Sequence, residues 1–152
     1  MANSDKRGPH VLLVQAPYYT HIAALLREGA ERALSAAGAT FDAIDVPGAF
    51  EIPAAIGMAA KARKFDGYVA LGCVIRGETT HYDHICESTA DALQRLAIDH
   101  GLPIGYGILT CENEAQALTR ATPGGNGRDK GGEAVNACLA LVAVRRRFSE
   151  SG

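Results

Sequence analysis

The chain has 152 residues, of which 47% are hydrophobic and 21% are charged. These values are typical of one globular domain, and they exclude a disordered, fibrous or disulfide-scaffold protein. The formal net charge is −2, with acidic and basic residues interspersed, so the chain lacks the field that attracts nucleic acid or an anionic membrane. Small molecules are therefore the expected partners.

Cysteine spacing and the first residues indicate the cellular compartment. The four cysteines are far apart and form no C-x-x-C pair, which argues against a zinc site or a thioredoxin-like motif. Residues 1–9 are polar, unlike a secretory signal, and no run approaches the roughly 20 apolar residues of a membrane span. We expect a cytoplasmic protein with a flexible arm over residues 1–9 and a single domain over residues 10–148.

Strand-like and helix-like patterns alternate along the chain. His10–Ala16 is a short apolar run that predicts a strand, and a segment of helical periodicity follows it until Gly38. Thr40–Val46 predicts the second strand, and the Ala-rich Glu51–Arg63 predicts the second helix. The first two units of the fold therefore have the same βα plan.

The second half of the chain repeats this plan. Gly67–Cys73 and Pro103–Thr110 predict two more strands, separated by a helix that runs from after Thr80 to Gly101. Two further helices are expected over Glu112–Ala121 and Gly132–Phe148, with residues 122–132 as the only long loop. Alternating strands and helices indicate a parallel sheet covered on both faces. The predicted fold is a three-layer α/β/α sandwich with four parallel strands, of flavodoxin-like type.

Ligands of open parallel sheets bind beyond the carboxyl ends of the strands. Here the segments after the first three strands are residues 17–20, 47–51 and 74–81, and all should meet at one edge. In the third segment, Gly77 precedes Glu78, Thr79 and Thr80, whose backbone and hydroxyl groups suit a phosphate. The alternative is that a threonine simply caps the next helix, and spacing alone favours it. The P-loop signature is absent.

His81 follows these threonines, and its ordinary pKa of roughly 6.5 suits proton transfer near neutral pH. Many histidines at helix starts are merely solvated, so the position alone proves little. His84 lies three residues later, which raises the question of a metal pair. No third ligand is close in sequence, so a metal is the weaker interpretation.

Aromatic and charged residues near the strand ends have both functional and structural interpretations. Aromatic rings could stack on a planar ligand, but each taken alone is more often part of a core; these rings are Tyr18, Tyr19, Phe50 and Tyr106. Glu51 and Arg120 could serve only to complement helix dipoles, and Lys130 could be a solvated loop charge. Arg145–Arg147 is best explained as a charged helix end.

Two longer motifs carry a family resemblance. V-P-G-A-F-E-I-P (Val46–Pro53) and G-C-V-I-R-G-E-T-T-H-Y-D (Gly72–Asp83) resemble the two most diagnostic stretches of the lumazine synthase family, in the same order and spacing. The likeness runs from the first strand to the final helix. It implies condensation of 5-amino-6-(D-ribitylamino)uracil with 3,4-dihydroxy-2-butanone 4-phosphate to 6,7-dimethyl-8-ribityllumazine, with no cofactor and no metal.

The resemblance also implies roles for individual residues. Contacts to the ribitylaminouracil are implied for Tyr18, Ala49, Phe50, Glu51, Cys73, Val74, Ile75 and Tyr106, with Tyr106 reaching the site from a neighbouring subunit. Glu78, Thr79 and Arg120 fall at the butanone phosphate site, His81 at the proton-transfer position, and Lys130 on the closing loop. The sequence departs from the family where Tyr18 replaces phenylalanine or tryptophan, where Cys73 replaces threonine, and where Glu78 places a carboxylate beside a phosphate.

Assembly is the last property that the resemblance implies. Family members form pentamers with sites at subunit interfaces, and residues 120–130 are longer here than in relatives that build 60-subunit shells. We expect a homo-oligomer, namely a pentamer that is either free or paired face to face with a second pentamer, rather than a capsid. Two competing functions are a non-catalytic flavin or lumazine binder, which His81, Arg120 and Lys130 argue against, and an electron carrier, whose phosphate loop after the first strand is missing.

Overall fold

The computed structural model describes residues 8–77, 81–124 and 128–150, without the side chain of Glu150. It contains one sheet of four parallel strands in the order β2-β1-β3-β4. The strands are β1 (His10–Gln15), β2 (Thr40–Asp45), β3 (Gly67–Ile75) and β4 (Ile104–Cys111). The helices are α1 (Thr20–Ala36), α2 (Ile52–Ala60), α3 (Tyr82–His100), α4 (Glu114–Ala121) and α5 (Lys130–Glu150).

Helices cover both faces of the sheet, so the predicted three-layer sandwich is confirmed. On one face, α1, α4 and α5 bury a core with side chains of β1, β3 and β4, including Leu13, Val69 and Leu109. On the other face, α2 and α3 bury a second core that includes Val14 and Ile108. The alternation of side chains along each strand produces these two cores. No helix among the described residues is long and apolar enough to cross a membrane.

The layer of α1 and α5 closes through backbone contacts. A Cβ atom on Gly131 would lie 2.1 Å from the carbonyl oxygen of Leu26 in α1, and one on Gly105 would lie 1.9 Å from that of Ala134 in α5. Only glycine permits such close approach of two backbones. These glycines therefore determine where the first turns of α5, and Lys130 with them, lie against the sheet.

Two element boundaries differ from the prediction in ways that affect the site. β3 continues two residues past Cys73 to Ile75, because its last residues pair with β4. α5 begins at Lys130 instead of Gly132, since the Asp129 carboxylate accepts a hydrogen bond from the Gly132 N–H at 3.0 Å and supports the first turn. Lys130 is therefore a helical residue and not a loop charge.

Candidate active site

The carboxyl ends of β1, β2 and β3 bring three loops to one edge of the sheet. Gln15 at the end of β1 is level with Asp45 of β2 and Leu71 of β3. β3 continues beyond that level, so Cys73, Val74 and Ile75 stand higher than the ends of the two neighbouring strands. They form a wall beside the loops that carry Tyr18 and Phe50.

Tyr18 and Phe50 present their rings to solvent. Tyr18 is 76% exposed and Phe50 is 55% exposed, so the core interpretation is wrong for both. Tyr19, the neighbour of Tyr18, packs partly against the core beneath α1, and the two tyrosine rings meet edge to face with centroids 5.0 Å apart. Exposed aromatic rings at the edge of a parallel sheet suit stacking on a planar ligand.

The turn from residue 48 to residue 51 explains why the Phe50 ring points outward. Ala49 and Ile52 are buried, and the Glu51 N–H donates to the Gly48 carbonyl oxygen at 3.1 Å in a short 3-10 turn. Burial of the residues on either side leaves Phe50 and Glu51 at the surface. Glu51 immediately precedes α2, where its carboxylate also interacts favourably with the helix dipole.

Cys73, Val74 and Ile75 alternate between the two faces of β3. The Cys73 side chain is half-buried on the α1–α5 face, and Val74 is buried on the α2–α3 face. Ile75 is buried and pairs with Cys111 of β4. The wall is therefore apolar apart from one thiol, which suits the edge of a heterocycle better than a charged group.

His81 directly precedes α3, and its carbonyl oxygen accepts a hydrogen bond from the Ile85 N–H at 2.9 Å. His81 is exposed at the same edge of the sheet as Tyr18. Glu78, Thr79 and Thr80, the predicted phosphate segment, lie outside the described residues. His81 itself occupies the N-cap position of α3, which was expected for one of the threonines.

Arg76 connects the two elements that follow β3 and β4. Its Nε donates to Glu112 Oε2 at 2.9 Å, its Nη1 lies 3.4 Å from Asp83 Oδ1, and its guanidinium stacks 4.4 Å from the centre of the Tyr82 ring. The guanidinium thus links the first turn of α3, next to His81, to the start of the α4 segment. The sequence interpretation assigned no role to Arg76; the acids at positions 83 and 112 were the available signal.

A second group of predicted site residues lies near β4. Tyr106 pairs with Ala70 of β3, so it lies in the middle of β4 and not at its carboxyl end. The Lys130 Nζ is 5.7 Å from the centre of the Tyr106 ring, and partial burial raises the pKa of the Tyr106 phenol. Arg120, near the end of α4, is half-buried with its Nη1 3.6 Å from the Cys111 Sγ.

The structure thus divides the predicted residues into two groups. Tyr18, Phe50 and His81 stand at the carboxyl ends of β1, β2 and β3, whereas Tyr106 and Lys130 lie beside the middle of β4. Tyr106 is level with Val14 of β1 through Ala70, so it lies below the end of β1 and two strand spacings, about 10 Å, to the side of that strand. β3 therefore lies between the strand that leads to Tyr18 and the strand that carries Tyr106.

Acid, thiol and imidazole side chains are the usual ligands of protein-bound metal ions. Within residues 8–77, 81–124 and 128–150, no three of them lie close enough together to hold a metal ion. The ligand-accepting features of this edge are therefore aromatic rings, apolar strand ends and a histidine.

Comparison with known proteins places this geometry in a family. Residues 8–146 match the family described as 6,7-dimethyl-8-ribityllumazine synthase. The chain belongs to the lumazine synthase family. Among curated lumazine synthases, it is 49% identical to that of Sphingopyxis alaskensis, with 91% of this chain and 96% of the relative covered. It is 51% identical to that of Novosphingobium aromaticivorans (91% and 97% covered) and 46% identical to that of Bartonella tribocorum (99% and 99% covered).

Proposed function

We propose that this protein condenses 5-amino-6-(D-ribitylamino)uracil with 3,4-dihydroxy-2-butanone 4-phosphate to form 6,7-dimethyl-8-ribityllumazine, releasing phosphate and water. The observation that carries this proposal is the family match over residues 8–146, which includes every described element of the site. The exposed rings at the strand ends support it, because one substrate is a planar heterocycle. No feature favours the non-catalytic binder.

In this proposal the heterocycle lies against the carboxyl ends of β1 to β3. Tyr18 stacks on the pyrimidine ring, and Ala49, Phe50 and Glu51 contact the ribitylamino group. The apolar wall of Cys73, Val74 and Ile75 borders the ring. The exposure of Tyr18 and Phe50 supports this arrangement, since a ligand can contact both rings without displacing core side chains.

The chemistry requires an imine between the uracil amine and the ketone, loss of phosphate, and ring closure. Holding both reactants together lowers such a barrier by roughly 7 to 11 kcal/mol, and a positioned acid–base group adds on the order of 10²- to 10⁴-fold. We assign the proton transfers to His81. Arg120, with backbone N–H groups of Glu78 and Thr79, would bind the departing phosphate, and Lys130 would add a second positive charge.

The division of these residues into two groups supports a homo-oligomeric enzyme. Tyr106 and Lys130 of one chain would complete the site at the strand ends of a second chain. A contact between two different surfaces generates a ring when the rotation between neighbouring chains closes. We propose such a ring of five chains, free or paired with a second pentamer, in place of a 60-subunit capsid. All four cysteines are described and none forms a disulfide, which fits a reducing cytoplasm.

Single-turnover formation of the lumazine, followed by its absorbance, tests the activity. His81→Ala should slow the chemical step by about 10²-fold. Arg120→Ala should raise the KM for the butanone phosphate by about 10-fold or more, because a charged hydrogen bond to phosphate is lost. His84→Ala and Arg95→Ala serve as matched controls on exposed positions of α3. They should change neither the rate of the chemical step nor the KM for the butanone phosphate. Tight binding of the lumazine without acceleration by the wild type would instead identify a binder.

Mixing two impaired variants tests whether the site is shared between chains. His81→Ala and Lys130→Ala each remove a residue from a different group. In a refolded one-to-one mixture, about a quarter of the interfaces should therefore join an intact His81 of one chain to an intact Lys130 of its neighbour. Activity should recover toward that fraction, whereas each variant refolded alone should stay inactive. If His81 and Lys130 of the same chain served one site, mixing would restore nothing.

A further inference from the structure

A cavity of about 990 Å³ lies at the amino ends of the strands, opposite the candidate active site. Its lining comes from the residues just before β3 and β4 and from the carboxyl-terminal turns of α2, α3 and α5, including Lys61, Asp66, His100, Leu102 and Arg145. We call it the amino-end cavity. Its volume falls at the upper end of the roughly 300 to 1,000 Å³ that small-molecule sites occupy.

The mouth of the amino-end cavity is strongly basic. Lys61, Arg63, Arg145 and Arg146 line it, and the one carboxylate among the lining residues is Asp66. Asp66 already accepts a hydrogen bond from the His10 N–H at 2.8 Å and lies 3.6 Å from Arg146. Among the described side chains, Lys61, Arg63 and Arg145 have no carboxylate within 4.0 Å. The cavity therefore has an excess of unneutralised positive charge.

The floor of the cavity is aromatic and apolar. Phe65 is half-buried and stacks on His10 with centroids 5.3 Å apart. It also packs edge to face on Tyr68, which is only 2% exposed, with centroids 6.0 Å apart. Leu102 and Val142, both buried, complete the floor. His10 and Tyr68 hold the Phe65 ring in place, so a planar group could pack against it while an attached charged group remained at the basic mouth.

Arg63 adopts a backbone conformation that normally belongs to glycine. Its φ is +55°, and it is the only non-glycine residue with positive φ among those described. Just beyond the ends of α1 and α3, the same left-handed conformation is taken by Gly38 and Gly101, with φ of +70° and +63°. A side chain at this position strains the backbone, and such strain often accompanies a functional role of the residue. At Arg63 the strained residue places a cation beside the cavity.

We propose that the amino-end cavity binds a small organic anion, with its phosphate held by Lys61, Arg63 and Arg145 and its planar ring against Phe65. Five residues of β3, about 17 Å, separate Tyr68 at this site from Cys73 in the wall of the carboxyl-end site. It is therefore a second site, independent of the condensation proposed above.

Isothermal titration with pyridoxine 5′-phosphate, a planar ring that bears one phosphate, tests the proposal. The wild type should bind it at least 10-fold more tightly than it binds pyridoxine or inorganic phosphate. Arg145→Gln should weaken that binding by 10-fold or more, whereas Arg95→Gln, on the exposed face of α3, should leave it unchanged. Arg63→Gly should also weaken binding while raising the melting temperature, because glycine relieves the backbone strain. A variant with a higher melting temperature has not failed to fold.

Several results would overturn the proposal. These are an absence of binding by the wild type at millimolar concentration, equal binding by wild type and Arg145→Gln, and loss of binding in Arg120→Ala, which would place the ligand at the carboxyl-end site. Inorganic phosphate that binds as tightly as pyridoxine 5′-phosphate would refute the ring-binding floor. The lumazine assay separates the two sites, since Arg145→Gln should retain full activity whether or not the cavity binds a ligand.

Discussion

The two helix layers of this protein are packed in different ways. Between α1, α5 and the sheet, glycines bring backbones into direct contact at Gly105 and Gly131. Beside α2 and α3, a Cβ atom on Gly57 would meet only the Leu96 side chain at 3.6 Å, a large cavity remains at one end, and Met58 and Ile98 are 71% and 72% exposed. The first layer is closed by backbone contacts, although Leu141, Val144 and Phe148 of α5 are exposed, whereas the second leaves space for another molecule.

This difference matters because the two layers serve different parts of the proposed function. The tight layer fixes α5 and so positions Lys130 against Tyr106 at the edge of the sheet. The loose layer carries the exposed ring of Phe50 at one end and the basic cavity at the other. Rigidity is thus concentrated where a residue must be held in place, and accessible surface remains where ligands or a second chain are expected to bind.

The largest effect should come from filling the tight layer. Gly105→Ala would place a Cβ atom 1.9 Å from the Ala134 carbonyl oxygen, and neither backbone can move without disturbing β4 or α5. We expect a loss of about 3 kcal/mol or more in the free energy of unfolding. Urea denaturation of the wild type and of Gly105→Ala measures this loss. A loss below about 1 kcal/mol would show that α5 shifts freely and that the layer is not tightly packed.

A matched pair of helical glycines sharpens the comparison. Gly131→Ala should cost about 2 kcal/mol, because the clash with the Leu26 carbonyl oxygen outweighs the roughly 1 kcal/mol gained in helix propensity. Gly57→Ala in α2 should instead stabilise by about 0.5 to 1 kcal/mol, since its Cβ would lie at an ordinary 3.6 Å from Leu96. Thermal denaturation measures the change in stability of each variant. Changes of the same sign in both would contradict the proposed difference between the layers.

Alkaline pH should weaken the tight layer through the Cys138 thiol. Burial in α5 raises the pKa of the Cys138 thiol from its usual 9 to about 12. The native state therefore keeps a proton that the unfolded state releases above pH 9. This contribution is complete below pH 9 and is lost as the pH rises toward 12, by about 2 kcal/mol between pH 9 and pH 11. Cys138→Ala should lack this part of the pH dependence. If denaturation shows that the wild type and Cys138→Ala lose stability equally between pH 9 and pH 11, the prediction is wrong.

The sequence predicted the fold well because its signals are local. β1, β3 and β4 are apolar runs of the right length, and Gly101 ends α3 in the left-handed conformation that its position indicated. The start of α5 was misplaced because the interaction of Asp129 with Gly132 is a detail of one turn, which periodicity does not register.

The site was only partly predictable for a physical reason. The loops after parallel strands converge by topology, so Tyr18, Phe50 and His81 could be placed at one edge from the chain order alone. Whether a ring is buried depends on what packs above it, and so the core interpretation failed for Tyr18 and Phe50. Arg76, Arg63 and Arg145 were missed because their roles depend on contacts between residues distant in sequence.

The contact between α1 and α5 also determines when the chain can finish folding. Residues 37–129 separate the two helices, and closing so long a loop is entropically costly until the sheet between them has formed. During synthesis, the apolar side of α1 remains uncovered while the rest of the sheet is being made. Ribosome-bound chains that stop before Lys130 should therefore depend on chaperones, and release of α5 from the ribosome should be the event that ends this dependence.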